Sequence, residues 1–300
     1  MLLKNDQDNK MMVPEDLKDQ IPLREISRIS GISLSGYYYK PRERHVERLD
    51  PSIKKRIRET ASERPTYGYR RVWAVMRNHG TRVNQKTVRK VLKEGNLSIP
   101  ASKHRGRTKS RNLFKPIKPV QLWETYITYI PRDSGMTYLM CIKDTFTKEW
   151  QGYHYSRSCM ARDAIRSVEN AVLMAFNGTV PEGLALRTDN GPQYILHEFR
   201  NSMKLLGRRL EYIQKHTPYD TEDIESFHNS IKTDYIWPNG FMGFHDASIA
   251  IGKAFRDYNE CRPHSSIDYL PPREFGRKFM NDPAFRERFE KKEVEVRLNE

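Results

Sequence analysis

The chain has 300 residues, 37% of them hydrophobic and 11% aromatic, which allows two folded domains and excludes wholesale disorder. A formal net charge of +15 and a pI near 9.6 point to a polyanionic partner, nucleic acid first. Three scattered cysteines, with no CxxC pair and no long apolar run, exclude a disulfide framework, a zinc ribbon and a membrane span, and place the protein in the cytoplasm, nucleoid-associated.

Residues 1–48 open with a polar stretch. Leu23, Ile26 and Ile29 then recur at helical spacing, Gly31 breaks the run, and Ser33 can cap a second helix. Helix, glycine turn, helix is the outline of a helix-turn-helix, an outline shared by hairpins that bind no DNA. Residues 49–100 form a second, all-helical region. Ile53, Ile57 and Ala61 make one stripe, and YGYRRVW at 67–73 starts the next helix. Asn84 caps a third helix from Gln85 to Glu94, with Val88, Val91 and Leu92 on its apolar face. Lys86, Arg89, Lys90 and Lys93 lie off that face, and Arg70 and Arg71 precede them. Such a basic helix suits major-groove docking, and it equally suits a solvated surface. Residues 101–119 form a linker whose cations, Arg105 and Arg107 among them, are interrupted by no acid. A tract of this kind can follow a phosphate backbone.

From 120 the period changes to two. LWETYITYI, TYLMCIKDTF and EWQGYHYS read as three antiparallel strands, with a turn at Pro131 to Gly135. A helix over 160–176, the short strand GLALRT, a helix over 195–206 and the strand RRLEYI come next, and 222–259 is mainly helical. The pattern predicts an α/β layer fold over 120–278 and a charged tail over 279–300.

Asp189 follows the strand GLALRT, where active-site groups of α/β sheets collect, and Asp-Asn-Gly is equally ordinary turn chemistry. Glu225, Asn229 and Lys232 stand at i, i+4 and i+7, on one helix face. They could form a surface ion pair, or set a metal ligand beside a phosphate-binding cation. Mg²⁺ prefers carboxylate oxygens, and two such ions can clamp an in-line phosphoryl displacement.

Taken in order, these motifs resemble the OrfB-type transposases of insertion sequences, whose DDE catalytic core is similar to retroviral integrase. The resemblance runs from about residue 20 to about 278. It rests on YGYRRVW with VNQKTVRKVLKE, on LWETYITYI, YLMCIKDTFTKEWQGY and LRTDNGPQY, on DIESFHNSIK, and on the closing YNECRPHSSIDYLPPREF. It implies an RNase H-like integrase core, a mixed five-stranded sheet with helices, preceded by an all-helical DNA-binding region. It further implies Asp189 and Glu225 as the second and third catalytic acids and metal ligands. Asn229 and Lys232 would lie at the DNA, with Arg70, Arg71, Lys86, Arg89, Lys90, Lys93, Arg105 and Arg107 as further contacts. The implied cofactor is Mg²⁺ in a two-metal site, with Mn²⁺ as the alternative. The implied partners are double-stranded DNA at element ends and target, further copies of the chain, and an upstream-frame polypeptide.

Two positions depart from the family pattern. Where the first strand carries W-x-T-D-x-T, Trp123, Thr125 and Thr128 are in place and Tyr126 replaces the aspartate. A phenol with a pKa of about 10 is a poor Mg²⁺ ligand at neutral pH. In TPYDTED, Thr221 stands where the family has asparagine. Glu124 shares the strand face of Tyr126 but lies about 7 Å along it. Asp144 falls three residues from the expected partner of Tyr126, Cys141. The expectation is therefore a transposase whose DNA cleavage and strand transfer are impaired at Tyr126. The alternatives are a catalytically inactive DNA-binding regulator of transposition and a nuclease acting on RNA–DNA hybrids.

Overall fold

A computed structural model describes residues 4–5, 10–11, 22–30, 49–100, 114–133, 135–207, 209–213 and 222–298. It divides into two units, Met1–Leu49 and Asp50–Glu300. The first contains a two-residue antiparallel ladder, Lys4–Asn5 with Lys10–Met11, and α1, Leu23–Ser30. The Gly31 turn, the expected second helix at Ser33, linker residues 101–113 and the Asp220–Thr221 loop lie outside the described residues.

The second unit begins where Asp50 caps α2 (Pro51–Glu63), its side chain accepting from Ser52 N–H at 2.8 Å. Gly68 precedes α3 (Tyr69–Asn78), and Asn84 caps α4 (Gln85–Glu94) through Lys86 N–H at 2.8 Å. Ile57, Val72, Met76, Val88 and Leu92 are buried between these helices. The indole of Trp73 donates to Val83 O at 2.9 Å, which fixes the α3–α4 turn.

The sheet has five strands: β1 (Leu122–Arg132), β2 (Gly135–Asp144), β3 (Trp150–Ser156), β4 (Ala185–Thr188) and β5 (Arg209–Tyr212). Their order is β3-β2-β1-β4-β5, antiparallel among the first three and parallel from β1 through β5. This is the expected mixed five-stranded, RNase H-like sheet. Tyr126 pairs with Cys141, as the sequence spacing predicts. The hairpin is tighter than expected, because β1 runs through Pro131 to Arg132 and β2 starts at Gly135.

Alternation along the strands builds two cores. One face places Trp123, Met140, Ile142 and Leu186 against α5 (Ala161–Phe176) and α7 (His197–Leu205), with Tyr194 of the short α6 (Pro192–Ile195). The other places Tyr126, Ile130, Cys141 and Trp150 against α8 (Glu222–Ile231), the π-turn Lys232–Ile236 and α9 (Phe244–Glu260). The helical stretch expected over 222–259 is interrupted between Trp237 and Gly243, where Pro238 and Gly240 fall.

Residues 279–300 do more than carry charge. Phe279 in α10 (Pro272–Asn281) and Phe285 and Phe289 in α11 (Pro283–Leu298) join Ile267, Leu270 and Phe275 in a buried cluster against Phe146. The density of Lys, Arg and Glu in that stretch masks the aromatic pair on one helical face.

Candidate active site and nucleic-acid interface

β1 and β4 run parallel in a register that pairs Glu124 with Arg187. The pairing ends there; continued two residues, the same register would bring position 126 level with position 189, just past the end of β4. Asp189 is exposed there, and its Oδ1 accepts from Gly191 N–H at 2.8 Å. Thr188 Oγ1 donates to the Asp189 carbonyl at 2.9 Å, and the Asn190 side chain donates to Ile213 O. Beneath the turn, the buried Tyr194 hydroxyl meets Thr125 Oγ1 at 3.2 Å. The turn chemistry and the functional reading of Asp189 are therefore compatible: the turn leaves the carboxylate at the rim.

The neighbouring position holds an aromatic side chain. Tyr126 is 2% exposed, with the Phe227 ring 5.5 Å away and the His228 ring perpendicular to it at 4.0 Å, both centroid to centroid. Phe227 and His228 lie on α8, which also carries Glu225 and Asn229 on its exposed side and Lys232 at its end. Tyr126 thus touches the helix that carries Glu225, on the strand next to the one that leads to Asp189. Burial, with Lys232 and Lys143 close by, pulls the His228 imidazole down to about 3, so it is neutral beside the phenol.

The two acids that could replace a carboxylate at position 126, Glu124 and Asp144, are committed elsewhere. Glu124 is buried between Lys143 Nζ and Arg187 Nη1, each at 3.3 Å, and Arg187 also reaches Glu211 at 3.1 Å. Asp144 pairs with Trp123 across the hairpin, three positions from Tyr126. Its Oδ1 accepts from Phe146 N–H, Thr147 N–H and Thr147 Oγ1, and its Oδ2 from Val120 N–H at 2.8 Å. Among the described residues no group of three or more His, Cys, Asp or Glu converges to hold a metal ion. Asp189 and Glu225 are exposed carboxylates of the kind a hard cation takes, whereas the buried phenol of Tyr126 is not.

The chain matches family models described as integrase core domain over residues 116–218 and 206–272, and as HTH-like domain over 48–106. The transposase for insertion sequence element IS904 of Lactococcus lactis is 29% identical, over 79% of this chain and 97% of its own length. The putative transposase InsK for IS150 of Escherichia coli is 28% identical, over 88% of this chain and 97% of its own length. This chain belongs to the insertion-sequence transposases with an integrase core. Among solved structures, the HTLV-2 integrase catalytic core domain in complex with magnesium is similar at 17% identity and a TM-score of 0.42, over 54% of this chain and 99% of that one.

In the HTH-like region of this transposase, Lys86, Arg89, Lys90 and Lys93 are all exposed on α4. Arg70 is exposed too, and its guanidinium and that of Arg89 lie over Tyr69, at 5.6 and 5.7 Å. Arg71 does not join them. It turns inward over Tyr67 at 5.6 Å, and its Nη1 lies 3.9 Å from Asp234 Oδ2. One residue on a helix is a rotation of about 100°, enough to separate an outward Arg70 from an inward Arg71. Arg105 and Arg107 lie outside the described residues.

Sequence reasoning missed the part played by the closing motif. Asn259 donates to Trp150 O at 2.8 Å and accepts from Trp150 N–H at 2.9 Å. Arg262 is buried on Asp234, and the Asp268 and Tyr269 carbonyls accept from Arg77 and Asn78 of the HTH-like region. The sequence carried no clear signal for this, because residues 256–262 read as an ordinary charged helix end and only the fold buries Asn259 and Arg262. No helix among the described residues is long and apolar enough to cross a membrane.

Proposed function

We propose that this transposase binds double-stranded DNA at insertion-sequence ends through the exposed face of α4 and the basic linker, and that its Mg²⁺-dependent cleavage and strand transfer are impaired. The observation carrying the reading is the buried Tyr126 ring, packed on His228 beside the strand end of Asp189. A neutral phenol provides no anionic oxygen for a hard cation, and its ring occupies volume that a carboxylate would leave open. Asp189, Glu225, Asn229 and Lys232 retain the roles the family pattern gives them: two acids, and polar and cationic contacts to phosphate. The division into an N-terminal segment, a helical DNA-binding region, a linker and a core belongs to the same reading. So do action as a homo-oligomer on paired ends, an upstream-frame partner and nucleoid association.

The test is a strand-transfer assay on terminal-repeat DNA with Mg²⁺, comparing the unaltered chain with Tyr126→Asp. The aspartate variant is expected to be the more active by at least about a hundredfold, the size of effect typical of a lost electrostatic stabiliser. Equal activity in the two would sink the proposal.

A second reading, a non-catalytic regulator that occupies the ends, draws support from the same ring. Tyr126 sits in a coherent aromatic environment with Phe227, Trp150 and Tyr258 close together, so the altered site is well packed rather than collapsed. Salt-dependent binding to the ends by the unaltered chain, with no cleavage in Mg²⁺ or Mn²⁺, would favour it.

A further inference from the structure

α8 does not stop at Ile231. It continues without a break into the π-turn Lys232–Ile236, closed by Trp237 N–H to Lys232 O at 2.8 Å. Such turns are uncommon and concentrate at functional sites. This one is held from outside by side chains. Asp234 Oδ2 accepts from Arg262 Nε at 2.7 Å, while Arg262 Nη2 donates to Ser230 Oγ at 2.8 Å. Arg71, from α3, approaches the same Asp234 oxygen at 3.9 Å. The next residue, Tyr235, donates its hydroxyl to Asp257 Oδ2 at 2.8 Å. Asp257 in turn receives both Nη atoms of Arg64, just past the end of α2, with Nη1 at 2.6 Å.

Asp234 and Asp257 therefore join three structures: the π-turn, α9 with the closing motif, and the HTH-like region. The Asp234 and Arg262 side chains are 4% and 2% exposed, so their pairing is shielded from solvent. Tyr67 lies under both incoming arginines, with the Arg64 guanidinium at 5.8 Å and that of Arg71 at 5.6 Å. Reversion of a π-turn to plain α-helix would turn the preceding helix by about 100° relative to the chain beyond the turn. The groups subject to that rotation are Glu225 and Asn229 of α8, and Lys232, which opens the turn itself.

We propose that Arg64 and Arg71 are positioning residues, through which the HTH-like region holds the π-turn and so sets the orientation of Glu225 and Lys232. The site's relevance rests on the proposed roles of those two residues; the mechanical link rests on the ion pairs and the Tyr235–Asp257 hydrogen bond alone. DNA held by α4 and the acid-bearing helix would then keep a fixed relation through a half-buried ionic joint of two arginines and two aspartates.

The experiment uses the full chain and the variants Arg64→Ala, Arg64→Lys and Arg71→Ala. Hydrogen exchange is monitored in peptides covering 225–237 and, as an internal control, 122–144. Binding to a labelled random-sequence duplex is measured alongside in about 50 mM salt, where non-specific binding is strong. Both alanine variants are expected to exchange at least about tenfold faster over 225–237, with 122–144 unchanged and DNA affinity within about threefold of the parent. Arg64→Lys, which keeps the charge at Asp257, should recover part of the protection. Unchanged exchange over 225–237 in both alanine variants overturns the proposal. So does a loss of affinity as steep as that of Lys90→Ala, since the arginines would then be direct DNA contacts. A parent that binds no duplex would sink the DNA-binding reading by itself, while the exchange result still decides the joint.

Discussion

Tyr126 and His228 meet ring to ring between β1 and α8, and each carries a measurable consequence. The imidazole stays neutral in the folded chain because burial, with Lys232 and Lys143 nearby, lowers its pKa from 6.5 to about 3. Below the unfolded value the unfolded chain takes up a proton that the folded chain refuses. The stability linked to this group is therefore complete above about pH 6.5 and is lost as pH falls toward about 3. Denaturant titrations at pH 7 and pH 5 should show the parent losing about 1 to 2 kcal/mol more than His228→Phe over that interval. Equal losses would mean that the ring is charged or solvated. At the neighbouring position, Tyr126→Asp removes a buried aromatic side chain and places a carboxylate beside Asp189. Without divalent ions it should lose about 3 to 5 kcal/mol of stability. Mg²⁺ should raise its melting temperature while leaving that of the parent unmoved; a parallel response in both would contradict the account of position 126.

At the scale of the element, the sheet and its covering helices meet at closest approach over Gly152. A Cβ built there would lie 2.5 Å from Ala171 Cα, so β3 and α5 touch backbone to backbone. Gly152→Ala must push α5 off the sheet, and thermal unfolding should show a loss of about 1 to 3 kcal/mol, as other overpacked cores do. Wild-type stability in that variant would mean that α5 stands further from β3. Much of this level was legible beforehand. Asn84 was readable as a cap, and Val88, Val91 and Leu92 as the buried face of α4, because both signals are local and repeat with the helical period. The pairing of Tyr126 with Cys141 was equally readable, because a short turn leaves few registers open. The break after Ile236 was less so: Pro238 and Gly240 mark it, but the helical runs on either side dominate the pattern.

Across the whole molecule, the net charge is +15, and α4 carries an exposed cationic face, the proposed DNA contact. Each phosphate contact releases about one counterion, so removing Lys90 or Lys93 should lower the slope of log affinity against log salt by about one unit. Arg71→Ala should leave that slope unchanged, because its guanidinium faces Asp234 and Tyr67. Fluorescence anisotropy over a salt series distinguishes the two outcomes.

The sequence by itself determined the helical periods, the alternation of the strands and the α/β layer architecture. Each of these is written in spacings of a few residues. Only the tertiary structure decided where Arg71 points, that Glu124 and Asp144 are already committed, and that Phe285 and Phe289 close a core. It alone also brought Arg64 to Asp257, across 193 positions of chain. Ion pairs of that separation impose no periodicity and no local propensity. Their partners look like ordinary surface charges until the fold removes them from water. The tyrosine at 126 was legible as a residue; the fold added what surrounds it, a neutral imidazole and a packed aromatic core.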